Sequence, residues 1–248
     1  MNNTSLPVYI VLGASGGIGS QVAKNLAKRG SQLVLGARSQ EKLNEIALQT
    51  GGVAYPLDAT DFTQVEALVK FTMETYGRLD GVSHCIGSIL LKPAHLTSVE
   101  EFDFTLKVNL YSAFYVVKSA SRSMFKTGGS IVLCSSAVAR TGLVNHEAIA
   151  AAKAGVTGLV QSAAATYGRY NIRVNCVAPG LVETPLTERI TGNEASRKHS
   201  EDMHALGRLG TPNDVAEAID WLLDNSRSNW VTGQTIGVDG GLGTIRPR

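Results

Sequence analysis

The chain alternates short apolar runs with stretches in which apolar residues recur at helical spacing. The apolar runs are nearly uninterrupted, as expected for parallel strands that helices cover on both faces. These runs occupy residues 8–12, 32–36, 79–85, 129–134 and 172–178. The helical stretches lie at 22–29, 64–76, 102–124, 148–166 and 214–223, and strand-like residues 234–239 follow the last one. This alternation from end to end predicts one α/β domain over residues 1–248, built on a doubly wound parallel sheet.

Composition and charge exclude several classes of protein. The 248 residues are 44% hydrophobic and 18% charged, which is ordinary for a globular protein with a buried core. A net charge of +2 gives no reason to expect nucleic acid or an anionic membrane as a partner. No apolar run approaches the roughly 20 residues that span a bilayer, and residues 1–17 lack the charged and apolar regions of a signal peptide. The densest basic cluster, residues 197–199, is expected to be an exposed loop.

The three cysteines, Cys85, Cys134 and Cys176, each lie in an apolar segment, and none belongs to a CxxC pair. This spacing argues against a disulfide framework and against a zinc site. We therefore expect free, buried thiols, no metal and a cytoplasmic location.

A glycine-rich sequence, GASGGIG, follows the first predicted strand and precedes the first predicted helix. Glycines in this position allow a tight turn and let backbone amides approach a pyrophosphate, whose charge is favoured at a helix amino terminus. An ordinary turn between strand and helix is the alternative. The loop predicts a dinucleotide-binding site of the Rossmann type, with contacts from Gly13, Ser15, Gly16, Gly17, Ile18 and Gly19.

The residues after the second strand indicate which dinucleotide is bound. An NAD site usually has an acidic residue here to bind the ribose hydroxyls, whereas this chain has Ala37 followed by Arg38 and Ser39. A guanidinium can bind a 2′-phosphate through two hydrogen bonds, and alanine does not repel it. We therefore expect NADP(H) as the cofactor; an exposed loop arginine is the alternative. In the segment LDATD at 57–61, Asp58 and Ala59 are expected cofactor contacts; Asp58 either meets the adenine or caps a helix.

Further segments complete a resemblance to the short-chain dehydrogenase/reductase family over nearly the whole chain. GASGGIG resembles the family's TGxxxGIG loop, with Leu12 in place of the threonine. Asn109 in KVNLYS is similar to the asparagine of the family's catalytic helix, and Ser136 in CSSAVA to its catalytic serine. APGLVETP at 178–185 is similar to the loop at the nicotinamide end, and GQTIGVDGG at 233–241 to the last strand. The resemblance implies a mostly parallel, seven-stranded sheet with helices on both faces, and a homo-oligomer, either a tetramer or a dimer.

The family's YxxxK motif is only half present. Members normally carry the tyrosine thirteen residues after the serine, which is position 149 here, and the lysine four residues later. Lys153 occupies the lysine position, but Ile149 occupies that of the tyrosine. The resemblance therefore leaves Asn109, Ser136 and Lys153 without the proton donor. In the family the lysine binds the nicotinamide ribose, and this task does not require the tyrosine.

The resemblance also implies the remaining cofactor contacts. The family's NNAG motif is altered here to the sequence HCIG at 84–87. The implied contacts are Cys85, Gly87, Lys153, Pro179, Gly180, Val182 and Thr184. Taken singly, Lys153 would also fit a lysine that reaches the surface, Ser136 a strand-end serine, and Asn109 a helix residue bonded to backbone.

Carbonyl reduction needs a group that protonates the oxygen, and a positioned general acid contributes about 10²–10⁴-fold. Isoleucine cannot donate a proton. His146, three residues earlier, is a candidate replacement because imidazole titrates near neutrality, although a histidine at a loop–helix junction is more often simply exposed. Residues 185–207 are expected to form a lid over a small-molecule substrate that the sequence does not specify.

Functions of different kinds fit these observations. The favoured hypothesis is an NADP(H)-dependent oxidoreductase with weak or unusual chemistry and little ordinary ketone reductase activity. The alternatives are a catalytically inactive NADP(H)-binding sensor and a structural partner in an assembly, because fold alone does not fix function.

Overall fold

Seven strands form one sheet in the computed structural model, which describes residues 6–245. The strands are β1 (Val8–Leu12), β2 (Gln32–Ala37), β3 (Val53–Pro56), β4 (Gly81–His84), β5 (Gly129–Cys134), β6 (Ile172–Pro179) and β7 (Thr235–Val238). Their order is β3-β2-β1-β4-β5-β6-β7, and every neighbouring pair is parallel. The strand order reverses between β1 and β4, where open α/β sheets bind ligands at the carboxyl ends. The predictions for residues 1–5 and 246–248 lie outside the described residues.

Nine α-helices connect the strands within the described range. They are α1 (Gly17–Lys28), α2 (Gln40–Thr50), α3 (Phe62–Tyr76), α4 (Val99–Leu106), α5 (Ser112–Met124), α6 (Glu147–Tyr167), α7 (Glu188–Thr191), α8 (Glu194–Met203) and α9 (Pro212–Leu223). Most of the longer helices start at a side chain that accepts a hydrogen bond from the first turn, which satisfies a backbone N–H that has no partner inside the helix. These caps are Ser39, Asp61, Ser98, Asn193 and Thr211.

The helices cover both faces of the sheet. On one face α3, α5 and α6 contribute Val65, Val116 and Val156 to a core. On the other face α1 and α9 contribute Val22 and Ile219 to a second core. Every residue of β1 and of β6 is buried between these layers. The predicted fold class is therefore confirmed, and the sheet is wholly parallel where the sequence predicted a mostly parallel one.

One predicted helix has a different form. The apolar pattern predicts a single helix over 102–124, but the helix begins at Val99 and contains a π-helical turn at Lys107–Tyr111. It begins earlier because Ser98 and Glu101 form a capping box, in which each side chain bonds the backbone N–H of the other residue.

The basic cluster at 197–199 is not a loop, and that prediction is wrong. It lies within α8, where Arg197 forms ion pairs with Glu183 and Glu201. The pair with Glu183 holds the polar helix against the loop that follows β6, whereas Glu201 lies one turn further along α8. Between residues 6 and 245, no helix is long and apolar enough to cross a membrane.

Candidate active site

The glycine-rich loop brings backbone into close contact with two other segments. Gly13 has a left-handed conformation (φ 79°), and a Cβ there would lie 2.8 Å from the carbonyl carbon and oxygen of Cys85. Gly17 begins α1, and its Cβ would lie 2.7 Å from Thr184 Cγ2 in the loop after β6. Any larger residue would displace backbone or Thr184. Of the other predicted loop residues, Gly19 is buried, Ser15 and Ile18 are half-buried and Gly16 is exposed.

The amino terminus of α1 has no side-chain acceptor from within the described chain. Its N-cap, Gly16, makes no side-chain cap bond, and its first turn contains no acidic residue. This contrasts with the five capped helices. Free N–H groups at the positive end of a helix dipole favour an external anion. The start of α1 therefore fits the pyrophosphate of a dinucleotide.

The end of β2 presents a cation next to this loop. Arg38 is exposed, and it forms no hydrogen bond or ion pair with any residue that the structure describes. Ala37 before it is buried, and Ser39 after it caps α2 through the backbone N–H of Lys42. The guanidinium is thus available to an anionic ligand, and no acidic side chain stands in the position that would bind ribose hydroxyls.

Asp58 does not cap a helix, so that alternative for the residue is wrong. Its Oδ1 accepts a hydrogen bond from the backbone N–H of Thr60, and Asp61 is the residue that caps α3. Asp58 is exposed after β3, while the neighbouring Ala59 is buried in the core.

The π-helical turn holds Asn109 at the end of β4. Asn109 is buried, and its Nδ2 donates to Thr105 O and Ser88 Oγ, both at 2.9 Å. Its Oδ1 accepts from the backbone N–H of Ser88 at 3.2 Å. A Cβ on Gly87 would lie 3.2 Å from Asn109 Oδ1 and 3.6 Å from Lys153 Nζ. Asn109 and Lys153 therefore flank the same glycine.

His84, the last residue of β4, contacts the helix immediately after this turn. Its ring is fully buried, and Nε2 lies 2.8 Å from Ser112 Oγ. Because Ser112 Oγ donates to Val108 O, it accepts from His84, and this assigns the proton to Nε2. Nδ1 has no hydrogen-bond partner among the described residues. Burial, with a smaller effect from the Lys153 ammonium, lowers the pKa of His84 to about 3, so the ring is neutral.

Lys153 is a buried cation with one partner. The residue is 6% exposed, and Nζ donates to Cys134 O at 2.8 Å. Burial lowers the pKa of Lys153, opposed in part by the surrounding thiols. An ammonium has three N–H donors, and Cys134 O is the acceptor that the described residues provide. The remaining donors fit the hydroxyl groups of a ribose.

The three cysteines lie near Lys153 and all are free. A hydrogen bond from the Cys85 thiol lowers the pKa of Cys134, and the same bond raises the pKa of Cys85. Burial raises the pKa of Cys176 to about 11. In the part of the chain that the structure describes, no cluster of three or more His, Cys, Asp or Glu residues could hold a metal ion.

An apolar cavity of about 490 Å³ opens beside these residues. Ser136, Ile149 and His146 all line it. Ile149 is 5% exposed and lies one helical turn before Lys153 on α6. Ser136 follows β5 and accepts a hydrogen bond from the backbone N–H of Val138. The described side chains around this cavity include no Asp, Glu, Lys or Arg.

Comparison with known proteins agrees with this geometry. The family model described as Enoyl-(Acyl carrier protein) reductase matches residues 13–243. The 3-oxoacyl-(acyl-carrier-protein) reductase FabG of Thermotoga maritima is 36% identical over 243 residues, which cover 95% of this chain and 97% of that protein. The chain belongs to the short-chain dehydrogenase/reductase family. It is an oxidoreductase of that type.

Two solved structures of similar proteins carry NADP(H). ElxO, described with NADP bound, has a TM-score of 0.91 at 28% identity, covering 97% of this chain and all of that one. A variant of the actinorhodin polyketide ketoreductase, described with NADPH, has a TM-score of 0.91 at 27% identity, covering 99% of this chain and all of that one.

In this short-chain dehydrogenase/reductase, the segment predicted as a lid forms α7 and α8. Ile190 and Met203 from these helices line the apolar cavity. His204 ends α8 and is buried, where Nδ1 donates to Ser200 O at 2.6 Å and Nε2 accepts from the Leu181 N–H at 3.2 Å. His204 thus ties α8 to the loop after β6.

The same loop contains the remaining predicted cofactor contacts. Pro179 and Gly180 line the cavity, while Val182 is buried and pairs with Gly210 through an isolated β-bridge. The backbone N–H of Thr184 donates to Thr187 Oγ1 at 3.0 Å, which shapes the loop opposite α1.

The structure brings the residues of the family motif to one edge of the sheet. Sequence reasoning missed the bonds from His84 and His204, because both join residues at least 23 positions apart and leave no local pattern. The alteration of NNAG was the one signal that pointed toward His84.

Proposed function

We propose that this chain binds NADP(H) and reduces uncharged carbonyl compounds, but slowly. Its residues offer three contacts for the cofactor. The N–H groups at the start of α1 take the pyrophosphate, Arg38 takes the 2′-phosphate, and Lys153 takes the nicotinamide ribose. When bound, NADPH supplies a hydride. The relatives described with NADP and NADPH support this choice of dinucleotide.

The chemistry that the protein adds is incomplete. A carbonyl that accepts a hydride develops negative charge on oxygen, and this charge has to be stabilised and protonated. Ser136 can donate one hydrogen bond to that oxygen, worth about 10²-fold by analogy with a single oxyanion donor. Ile149 can donate nothing, and it occupies the wall of the same cavity. The isoleucine at position 149 is the observation that supports a slow reaction.

The cavity also limits the substrate. Its described lining is apolar and carries no formal charge from Asp, Glu, Lys or Arg. A carboxylate or phosphate placed there would lose its hydration without a lysine or arginine to pair with. Uncharged ketones, aldehydes or imines of moderate size fit this environment.

A phenol restored at position 149 tests the proposal. In Ile149→Tyr the hydroxyl would lie one turn before Lys153, whose charge lowers the pKa of a nearby phenol. We expect carbonyl reduction with NADPH to rise at least about 10²-fold, the lower end for general acid catalysis. Steady-state assays with a panel of uncharged ketones measure this gain.

Ile149→Phe is the matched control, because it adds the same ring without the hydroxyl. It should show no gain, and the gain in Ile149→Tyr should vanish when Ser136→Ala or Lys153→Ala is added. Overpacking can cost about 1–3 kcal/mol, so unfolding and NADPH titrations of each variant come first. A folded, NADPH-binding Ile149→Tyr protein without any gain would favour the inactive, NADP(H)-binding protein instead.

We also propose a homo-oligomer built on α4 and α5. These helices expose a group of large apolar side chains that a single chain leaves uncovered, as interaction surfaces do. They are Val99, Phe102 and Phe104 on α4, Phe114 on α5, and Tyr111 at the end of the π-helical turn between the two helices. Molar mass from light scattering tests this, and a monomer at micromolar concentration would contradict it.

A further inference from the structure

The cavity beside Ile149 contains few groups that could replace a phenol as proton donor. A serine or threonine hydroxyl donates a hydrogen bond but does not give up its proton near neutral pH. Imidazolium is the group of ordinary proteins that does so most readily. The imidazoles that line the cavity are His146, His199 and His204.

Two of these three histidines are unsuited to the task. His204 is 2% exposed, and both its ring nitrogens are engaged, by Ser200 O and by the Leu181 N–H. His199 is exposed on α8, in the segment predicted as a lid. Its ring has no hydrogen-bond partner among the described residues, so nothing fixes its orientation.

His146 has a fixed position and one uncommitted nitrogen. It precedes α6, and its carbonyl oxygen accepts the first bond of the helix, from Ala150 N at 2.7 Å. Its Nδ1 lies 2.7 Å from Val144 O, and because a carbonyl only accepts, Nδ1 carries a proton. Nε2 has no partner among residues 6–245. The ring is half-buried, so water can return a proton to it.

We propose that His146 is the proton donor of this site in place of the absent phenol. The inference rests on the proposed function and extends it. As the hydride joins the carbonyl carbon, the C=O π pair moves to oxygen, and the N–H bond at Nε2 of the imidazolium breaks to protonate that oxygen. The products are an alcohol, NADP⁺ and neutral His146, which regains a proton from solvent. Val144 O holds Nδ1–H throughout and so keeps Nε2 as the donating atom.

A cycle of variants tests this role without depending on a loss of activity alone. Wild type, His146→Ala, Ile149→Tyr and the double variant are assayed with NADPH and two uncharged activated ketones, ethyl pyruvate and trifluoroacetophenone. In the wild-type background, His146→Ala should lower kcat about 10²-fold or more. With the phenol present, the same change should lower kcat less than about threefold, because the donor is then redundant. His95→Ala, an exposed histidine in the short 3-10 turn Ala94–Leu96, is the control and should leave kcat unchanged.

Each result separates this proposal from the proposed function. An equal loss in both backgrounds would assign His146 a structural or substrate-positioning role and overturn the proposal. Wild-type turnover that survives His146→Ala would overturn it while leaving the proposed reductase intact. Turnover in Ile149→Tyr but none in wild type would mean that wild type has no working donor, which also overturns it. Absence of turnover in every variant despite NADPH binding would remove the proposed function itself, and His146 with it. Restoration of kcat in His146→Ala by added imidazole would support the role directly.

Discussion

On going to acidic pH, the free energy of unfolding should fall less in His84→Asn than in the wild type. The buried ring has a pKa of about 3, whereas a histidine in an unfolded chain titrates at about 6.5. Between these values the unfolded state binds more protons than the folded state, so the free energy of unfolding falls as pH falls. The stability that depends on a neutral His84 is complete above pH 6.5 and is lost at up to about 1.4 kcal/mol per pH unit below it. From pH 7.5 to 4.5 this amounts to roughly 2–3 kcal/mol.

Urea unfolding of both proteins, followed by tryptophan fluorescence at pH 7.5, 6.0 and 4.5, measures the effect. Groups other than His84 are common to both proteins and cancel in the difference. At pH 7.5 His84→Asn should be less stable by about 1–3 kcal/mol because it loses the bond to Ser112. At pH 4.5 that difference should have shrunk by roughly 2–3 kcal/mol. A difference that stays constant over this range would refute the argument that burial keeps the ring neutral.

Two other predictions concern the cofactor cradle. Arg38→Ala should weaken NADPH binding about 10–100-fold, the size of lost charged hydrogen bonds, and leave NADH binding unchanged. Fluorescence titration measures both affinities, with the exposed Arg122→Ala as control. Equal effects on the two dinucleotides would contradict this prediction. Gly13→Ala should destabilise the fold more than Gly30→Ala, although both glycines have φ near +78°. The Gly30 change costs about 1–2 kcal/mol of backbone strain. The Gly13 change adds to this a Cβ at 2.8 Å from Cys85. Equal losses of unfolding free energy in urea would show that the contact with Cys85 does not matter.

The strands could be predicted because their signal is local. In β1 and β6 every residue is buried, so the apolar run and the strand coincide. β3 was not predicted because it is only four residues long, is half-buried and ends in a proline, which is rare inside a strand. The π-helical turn was not predicted, because the apolar residues on both sides of it read together as one helix over 102–124. α8 was missed because a charged helix with few apolar residues has no visible apolar stripe. Its pairs Arg197–Glu201 and Lys198–Asp202 are four residues apart, and only Arg197–Glu183 joins α8 to another segment.

The site divides in the same way. The glycine loop and the residue types at 149 and 153 are readable from spacing, since they sit at fixed intervals in one segment. The choice between Asp58 and Asp61 as a cap depends on where α3 begins, which the sequence leaves open by a few residues. The apolar cavity is assembled from loops after β4, β5 and β6, so its lining follows from tertiary packing and from no single stretch of sequence.

The uncapped start of α1 makes the contact with the pyrophosphate a property of the main chain. Backbone N–H groups and glycine contacts do not depend on which side chain occupies position 149 on α6, across the sheet. A mutation can therefore abolish the reaction and leave the ligand in place. When catalysis is lost, a dinucleotide that is still bound continues to stabilise the folded chain. Under the proposed function, a catalytically silent form persists as a folded, cofactor-loaded protein, and Ile149→Tyr is expected to return it to chemistry.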